Sequence, residues 1–249
     1  MDLKLKDKVA FVTGGSHGLG KAICLGLAAE GAKVGVNYHR NPEKAEAVVA
    51  EIRQKFGVEA FAVRGDIAVE ADVIRMYDQL GVVDVLVNNA AVCPVGPITE
   101  MSEADWNRTF QVNMTGTFLC SREMVRRLEK VKRIGRIVNI SSQAAFSGSQ
   151  SGKSPYDASK GAIIAFTVSL ARELAPKNIC VNCVAPGLMY TEMLAPFIDA
   201  NREKFESRVP LHRLGSVEEI TNVVVFLASE RSSYMTGATV DVSGGLAMH

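Results

Sequence analysis

The tyrosine and the lysine of the run Tyr156-Asp-Ala-Ser-Lys160 form a pair whose types and spacing could support proton transfer. The apolar stretch over residues 161–174 contains no proline, and Pro155 stands where the first turn of a helix would begin, so the segment is predicted to be helical. In a helix, residues four apart lie on one face, about one turn from each other. A lysine ammonium there favours the phenolate, which makes Tyr156 a candidate general acid or base.

Proton transfer near neutral pH places a demand on the surroundings of Tyr156. A free tyrosine titrates near pH 10, so its pKa would have to fall by about 3 units, which corresponds to ~4 kcal/mol. One lysine at the surface cannot supply that shift, whereas a buried site with a second positive charge can. The alternative interpretation of an isolated Tyr–Lys pair is two surface residues on an amphipathic helix.

A glycine-rich run, Thr13-Gly-Gly-Ser-His-Gly-Leu-Gly20, follows the apolar segment Val9-Ala-Phe-Val12. Such a segment is typical of a strand in a parallel sheet that is covered on both faces. Glycines directly after it allow a tight turn and a close approach of the backbone to a pyrophosphate. A helix that starts near Gly18 would point its first amides at that charge, so the unit is predicted to bind a dinucleotide.

Three more motifs accompany these two, namely Asn88-Asn-Ala-Ala91, Ile137-Val-Asn-Ile-Ser-Ser142 and Pro186-Gly-Leu-Met-Tyr-Thr191. In this order and spacing, the five elements resemble the short-chain dehydrogenase/reductase family, from Lys8 to about Gly245. The resemblance implies one domain over residues 1–249, with a Rossmann-type doubly wound α/β fold of about seven parallel strands and helices on both faces. It also implies hydride transfer between a nicotinamide and a carbonyl or secondary alcohol.

The resemblance assigns roles to four residues. Tyr156 exchanges the proton, Lys160 lowers the pKa of the tyrosine and binds ribose hydroxyls, Ser142 orients the substrate oxygen, and Asn113 bends a long helix predicted over about 102–130 and keeps a proton path open. Ser141 is the alternative to Ser142, because neighbours in a strand point to opposite faces and only one can enter the site. The presence of all four residue types favours an enzyme over a non-catalytic dinucleotide-binding protein on the same fold.

The cofactor is expected to be NADP(H) in preference to NAD(H), with NAD(H) use still open. The second strand ends Asn37-Tyr38-His39-Arg40 without the carboxylate that family members specific for NAD(H) carry. Arg40 offers a planar fork to a phosphate, and His17 would help once protonated. Asp66 is expected at the adenine edge. The predicted cofactor contacts are Gly14, Ser16, His17, Gly18, Leu19, Gly20, Tyr38, His39, Arg40, Asp66, Ile67, Asn89, Ala90, Ala91, Tyr156, Lys160, Pro186, Gly187 and Thr191.

Substrate and partner surfaces are predicted from three further segments. The loop Val92–Ile98 is a candidate pocket wall, and residues 188–210 have the composition of a lid over a carbonyl or alcohol substrate. A stripe of small residues on the Tyr156 helix predicts a homotetramer, with packing against the protein's own sheet as the alternative. A basic cluster at 126–133 is typical of a solvated face, although in carrier-protein-using relatives such a patch docks an acidic acyl carrier protein, as a 3-oxoacyl-carrier-protein reductase would require.

The bulk properties exclude other classes of function. Formal net charge is +1 over 249 residues, so no affinity for nucleic acid is expected. The absence of a long apolar run predicts no membrane segment, and the polar start, Met1–Lys8, does not resemble a signal peptide. Five cysteines without framework spacing indicate a reducing, cytoplasmic setting. Cys180 and Cys183 form a CxxC on a predicted buried strand, where an offset of three separates the side chains, so no metal site is expected.

Overall fold

A seven-stranded parallel sheet forms the centre of the molecule, with the strand order β3-β2-β1-β4-β5-β6-β7. The computed structural model describes residues 2–149, 152–190 and 199–248. The chain runs outward from β1 to β3, returns to β4 beside β1, and then proceeds to the opposite edge. This reversal leaves a crevice outside the carboxyl ends of β1 and β4, where ligands bind in open parallel sheets. The doubly wound sheet predicted from the sequence is confirmed.

The strands are short, and apolar residues predominate along them, as a sheet that is covered on both faces requires. They are β1 Val9–Val12, β2 Lys33–Tyr38, β3 Ala60–Arg64, β4 Val85–Asn88, β5 Gly135–Ile140, β6 Ile179–Pro186 and β7 Thr239–Val242.

Helices connect the strands and cover both faces of the sheet. Within the described ranges they are α1 Gly18–Ala29, α2 Pro42–Phe56, α3 Glu70–Leu80, α4 Glu103–Phe110, α5 Gly116–Val131, α6 Ala144–Ser147, α7 Ser154–Leu174, α8 Arg202–Glu206 and α9 Val217–Ala228.

Each face of the sheet has its own hydrophobic core. One core joins β1, β2 and β4 to α1, α2 and α9 through residues such as Ile23 and Val224. The other joins the opposite face to α3, α5 and α7 through residues such as Phe11, Tyr77 and Met124. All these side chains are almost fully buried, and burial of each contributes about 1.5–3 kcal/mol relative to exposure. The two cores fix the positions of the loops at the carboxyl edge.

The long helix predicted over 102–130 is not a regular α-helix. A π turn, Gln111–Thr115, separates α4 from α5, and the Gly116 N–H donates to the Gln111 carbonyl, five residues back. Single π turns are frequent at functional sites. This one places Asn113 on the wide turn, as the predicted bend at that residue implies.

Cys180 and Cys183 lie on β6 and do not form a unit. Cys180 is half-buried with its thiol directed at the Ser233 carbonyl, whereas Cys183 is fully buried. The predicted separation of the two side chains is therefore confirmed. In the described ranges, no three His, Cys, Asp or Glu side chains are grouped so that they could hold a metal ion. Among the described helices, none combines the length and the apolar character needed to cross a bilayer.

Candidate active site

The glycine-rich loop lies at the carboxyl end of β1 and forms a concave backbone cradle. Gly14 has φ +62°, which favours glycine, and a Cβ on Gly20 would lie 2.2 Å from the Gly14 carbonyl oxygen. No side chain caps α1, which begins at Gly18 after an extended His17. Uncapped first-turn amides and the helix dipole favour an anion here, so the cradle fits a pyrophosphate.

Three side chains fix this loop to the neighbouring strands. The Asn37 Oδ1 accepts a hydrogen bond from the Gly14 N–H at 3.0 Å. The Thr13 Oγ1 accepts from the N–H groups of Asn89 and Ala90 at 2.9 and 3.0 Å. The Asn89 amide donates to the carbonyls of Thr13 and Gly14, so this predicted cofactor contact holds the cradle with its side chain. Sequence reasoning missed Thr13 and the role of Asn37, although a polar residue at the end of an apolar strand is the signal that could have revealed each.

Positive charge surrounds the carboxyl ends of β2 and β3. His39 and Arg40 are exposed beside half-buried Tyr38, and the His39 Nε2 lies 3.9 Å from the Asp66 carboxylate. Asp66 also accepts from the Ala68 N–H at 2.9 Å and from Arg108 at 3.1 Å. Burial opposes its ionisation, but these hydrogen bonds prevail and lower the pKa of Asp66. It is therefore an ionised acceptor at this edge.

Tyr156 and Lys160 lie on the first two turns of α7, and Ser142 follows β5 at the same edge of the sheet. The Lys160 Nζ is 5.5 Å from the centroid of the Tyr156 ring and donates to the Ile140 carbonyl at 2.7 Å. Ser142 is near enough to the Tyr156 hydroxyl for hydrogen bonding, which acts to lower the pKa of the tyrosine. The structure thus brings the two hydroxyls and the ammonium together.

Ser141 and Ser142 have different surroundings. The Ser141 hydroxyl is buried and donates to the Lys160 backbone carbonyl at 2.8 Å, which ties β5 to α7. The Ser142 Oγ accepts from the Ala144 N–H at 3.1 Å and faces Tyr156. Of the two alternatives that the sequence left open, Ser142 is the one near Tyr156.

The pKa values in the cofactor-free protein differ from the sequence-based expectation for Tyr156. Burial raises the pKa of Tyr156 to about 12, with the Cys93 thiol adding to the rise and Ser142 opposing it. Burial also lowers the pKa of Lys160 to about 8. The predicted lowering of the tyrosine pKa is therefore absent from the protein alone, because the loss of solvent around each group favours its neutral form.

Asn113 is fully buried on the π turn and holds two elements together. Its Oδ1 accepts from the Val92 N–H at 2.8 Å, and its Nδ2 donates to the Val92 carbonyl at 3.0 Å and to the Ser159 hydroxyl at 3.0 Å. The Ser159 hydroxyl in turn donates to the Tyr156 carbonyl at 2.7 Å. The Asn113 side chain thus connects the loop after β4 to the catalytic helix.

The loop Val92–Ile98 and the segment after β6, which were predicted to border the substrate, follow the carboxyl ends of β4 and β6. The Gly96 N–H donates to the Gly152 carbonyl at 2.9 Å, which fixes the loop against the start of α7. The Tyr190 hydroxyl donates to Asp199 at 3.1 Å. Of the predicted lid over 188–210, residues 191–198 lie outside the described residues, and so does the predicted cofactor contact Thr191.

The other predicted contacts lie along the same edge. Pro186 ends β6, and a Cβ on Gly187 would lie 2.5 Å from the Ser243 Cα. Ala91 is exposed and Ala90 half-buried at the end of β4, beside the cradle. Just before α1, the Ser16 Oγ is 3.2 Å from the His17 Nδ1. Exposed Gly18 and half-buried Leu19 complete the helix start, and Ile67, which follows Asp66 in the chain, is buried in the core.

Fold and site together define a dinucleotide-binding oxidoreductase of the doubly wound class. A family model described as enoyl-(acyl carrier protein) reductase matches residues 14–247. The 3-oxoacyl-[acyl-carrier-protein] reductase FabG of Aquifex aeolicus is 41% identical over 250 residues, which cover 99% of this chain and 100% of the relative. The enzyme of the same description from Staphylococcus aureus (strain N315) is 40% identical and covers 97% of this chain and 98% of its own.

Solved structures agree with these sequence relatives. A short-chain type dehydrogenase/reductase from Mycobacterium marinum superposes with a TM-score of 0.93 at 34% identity, over 100% of this chain and 98% of the other. A candidate 2-deoxy-D-gluconate 3-dehydrogenase from Agrobacterium tumefaciens, solved with bound NADP, gives a TM-score of 0.89 at 33% identity, over 98% of both chains. This chain belongs to the short-chain dehydrogenase/reductase family.

Proposed function

We propose that this chain interconverts a carbonyl and a secondary alcohol with NADP(H), and that its substrate in the reducing direction is a 3-oxoacyl thioester. The observation that carries the proposal is the convergence of the Ser142 and Tyr156 hydroxyls beside the buried Lys160 ammonium, at the edge that holds the pyrophosphate cradle. Two hydroxyl donors next to each other suit one carbonyl oxygen. The nicotinamide supplies or accepts the hydride when it is bound.

Each of the four residues has its own role. Ser142 donates a hydrogen bond to the carbonyl oxygen and orients it. Tyr156 gives its phenolic proton to that oxygen as the alcohol forms, and a positioned proton transfer of this kind is worth ~10²–10⁴-fold in rate. Lys160 binds ribose hydroxyls and stabilises the phenolate that remains. Asn113 holds the Val92 loop against α7 and so keeps the other three in register.

The high pKa of Tyr156 in the free protein is consistent with this role. In the reducing direction the tyrosine must carry its proton, and burial ensures that it does. An opposite charge within a few ångströms favours the charged form of a titratable group, so the Lys160 ammonium would stabilise the phenolate that remains once the proton has been given to the substrate.

The preference for NADP(H) is proposed from the charges at the end of β2. Arg40 is exposed and makes no ion pair with any residue in the described ranges, so its guanidinium can bind a 2′-phosphate. His39 and His17 are exposed at the same edge of the sheet, and their ring N–H groups can donate hydrogen bonds to the phosphate. Glu43, in the first turn of α2, opposes part of this effect and leaves NAD(H) usable.

Arg40→Ala should lower kcat/KM for NADPH by about 10- to 100-fold, because a charge-assisted hydrogen bond contributes ~1.5–3 kcal/mol. The value for NADH should change by no more than about threefold, because NADH lacks the 2′-phosphate. Steady-state kinetics with both cofactors on both proteins measures this. A preference of the wild type for NADH, or an equal loss with both cofactors, would refute the phosphate site.

The 3-oxoacyl thioester is proposed on the strength of the relatives from Aquifex and Staphylococcus, whose names state that activity. The surface gives less support for docking of an acidic carrier protein than the sequence suggested. Arg127 pairs with Asp78 and Glu123, and Arg133 pairs with Asp84. Arg126 lies 3.9 Å from Glu123. Lys130 and Lys132 are exposed and form no ion pair with a residue that the structure describes. Reduction of a small 3-oxoacyl thioester by NADPH tests the reaction without the carrier.

A homotetramer is proposed from the stripe of small residues on α7. Ala158, Ala165 and Ser169 are exposed and Ala162 half-buried, whereas the sheet-facing side of α7 buries residues such as Ile163 and Thr167. Packing against the protein's own sheet therefore does not explain the stripe.

Light scattering at micromolar concentration should give about four chain masses for the wild type. Ala165→Glu should lower this mass, because it would introduce a charge into a tightly packed helix contact. A monomer mass for the wild type would contradict the proposal. An unchanged mass for the variant would exclude this face of α7 as the contact.

A further inference from the structure

A small cavity lies at the amino edge of the sheet, at the opposite end of the strands from the catalytic residues. It is open to solvent, and its lining includes Lys4, Lys8, Asp84, Arg136 and Glu230. Arg136 is near the start of β5 and Ser142 follows its end, so about 20 Å of strand separates the two at ~3.3 Å per residue. The cavity is therefore distinct from the active site.

Arg136 brings a buried positive charge to this cavity. Only 8% of the residue is exposed. Its Nε donates to the Ser229 carbonyl at 3.3 Å, and its Nη1 donates to the Gly135 carbonyl at 2.9 Å. Its Nη2 makes no hydrogen bond with a residue that the structure describes, and the protein does not enclose this atom. A guanidinium offers five N–H donors, so Arg136 keeps donors for a ligand.

The Asp84 carboxylate lines the same cavity but is committed to other partners. It accepts from the Val9 N–H at 2.9 Å and pairs with Arg133. Arg136 forms no ion pair with Asp84 or with any other residue in the described ranges. Burial of a charge without a counter-ion is costly, so the cavity favours an anion.

The rim of the cavity carries charges of both signs. The Lys8 Nζ lies 3.8 Å from the Glu230 carboxylate, and Lys4 pairs with Asp2 at 2.6 Å. The carbonyl end of α9 offsets about half an elementary charge on Arg136, and Glu230 would repel an anion. Three basic and two acidic residues line the cavity, so its formal charge is still positive.

We infer that this cavity binds one phosphate-type oxyanion, with Arg136 as its main ligand and Lys8 on the solvent side. The free N–H groups of a guanidinium make strong, charge-assisted hydrogen bonds to such oxygens. Free phosphate and the phosphate of a nucleotide share this chemistry, and AMP serves to separate the two sources. The site takes no part in the hydride or proton step, so the inference does not depend on the proposed function.

Calorimetric titration with inorganic phosphate tests the inference. Ionic strength is held constant, and NADPH is kept saturating so that the pyrophosphate cradle of the active site is occupied. The wild type should bind one phosphate per chain, and Arg136→Gln should raise the dissociation constant by about 10- to 100-fold, the size of a charge-assisted hydrogen bond.

Two rim variants and one control make the test independent of the folding of Arg136→Gln. Lys8→Met should raise the dissociation constant for phosphate by about two- to fivefold, and Glu230→Gln should lower it by a similar factor, as expected for one exposed charge. Lys177, which pairs with Glu129 elsewhere on the surface, is the control, and Lys177→Met should leave the constant unchanged.

The inference would be overturned by a wild type that shows no saturable binding of phosphate while NADPH is bound. It would also be overturned by an unchanged dissociation constant in folded Arg136→Gln, or by unchanged constants in both Lys8→Met and Glu230→Gln. If AMP binds more tightly than phosphate and responds to the same variants, the site is supported and its ligand is a nucleotide. Weaker binding of AMP supports a site for free phosphate.

Discussion

Tyr156→Phe is expected to lower kcat for carbonyl reduction by ~10²–10⁴-fold, because the substitution deletes the proton donor and leaves the ring. The fold and the binding of NADPH should persist, since the phenylalanine fills the same half-buried space on α7. Single-turnover oxidation of bound NADPH and a thermal melt measure the two effects. Activity within about tenfold of the wild type would contradict the assignment of Tyr156.

Three further variants make this result specific. Tyr234 is fully exposed, so Tyr234→Phe should leave kcat unchanged. Ser142→Ala should lower kcat, whereas Ser141→Ala should act mainly on stability, because the Ser141 hydroxyl is committed to the Lys160 carbonyl. Equal kinetic effects of the two serine variants would contradict the assignment of Ser142.

Lys160→Met is expected to weaken both catalysis and cofactor binding. The methionine keeps most of the length of the side chain but removes the charge that stabilises the phenolate and the donors for ribose. We expect kcat to fall by about 10²-fold or more and the dissociation constant for NADPH to rise by about 10- to 100-fold. Fluorescence titration of NADPH measures the second effect, and an unchanged dissociation constant would exclude the ribose contact.

The pH dependence of NADPH binding gives a second test of the role of Lys160. The pKa of Lys160 is lowered to about 8, so the ammonium carries its charge below that pH and loses it as pH rises. The affinity of the free wild-type protein for NADPH should therefore weaken as pH rises through about 8, and this break should be absent from Lys160→Met. A break that persists in the variant would assign it to another group.

Short-range sequence patterns were sufficient to predict the overall fold of the molecule. The apolar run Val9–Val12 before the glycine-rich loop predicted a strand, and β1 has these bounds. The i, i+4 spacing of Tyr156 and Lys160 placed both on one face of α7 because a helix converts sequence spacing directly into geometry. The position of the glycine-rich run directly after an apolar strand likewise predicted the cradle at the start of α1.

Contacts between distant parts of the chain were not predictable. Arg133 lies far along the sequence from Asp84, and their ion pair, which reduces the free charge of the basic cluster, follows only from the packing of β4 against α5. The rise in the pKa of Tyr156 likewise depends on how tightly the site is buried, which no spacing reveals.

Transfer of a labelled hydride tests the central claim most directly. A 3-oxobutyryl thioester is incubated with the wild-type protein and NADPH that carries deuterium at the transferring C4 position, and the product is identified by mass spectrometry and NMR. The account predicts a 3-hydroxybutyryl thioester with one deuterium on the carbinol carbon for each NADPH oxidised, and almost none with Tyr156→Phe. Oxidation of NADPH without deuterium at that carbon, or turnover of the 2-enoyl thioester in place of the 3-oxoacyl one, would contradict it.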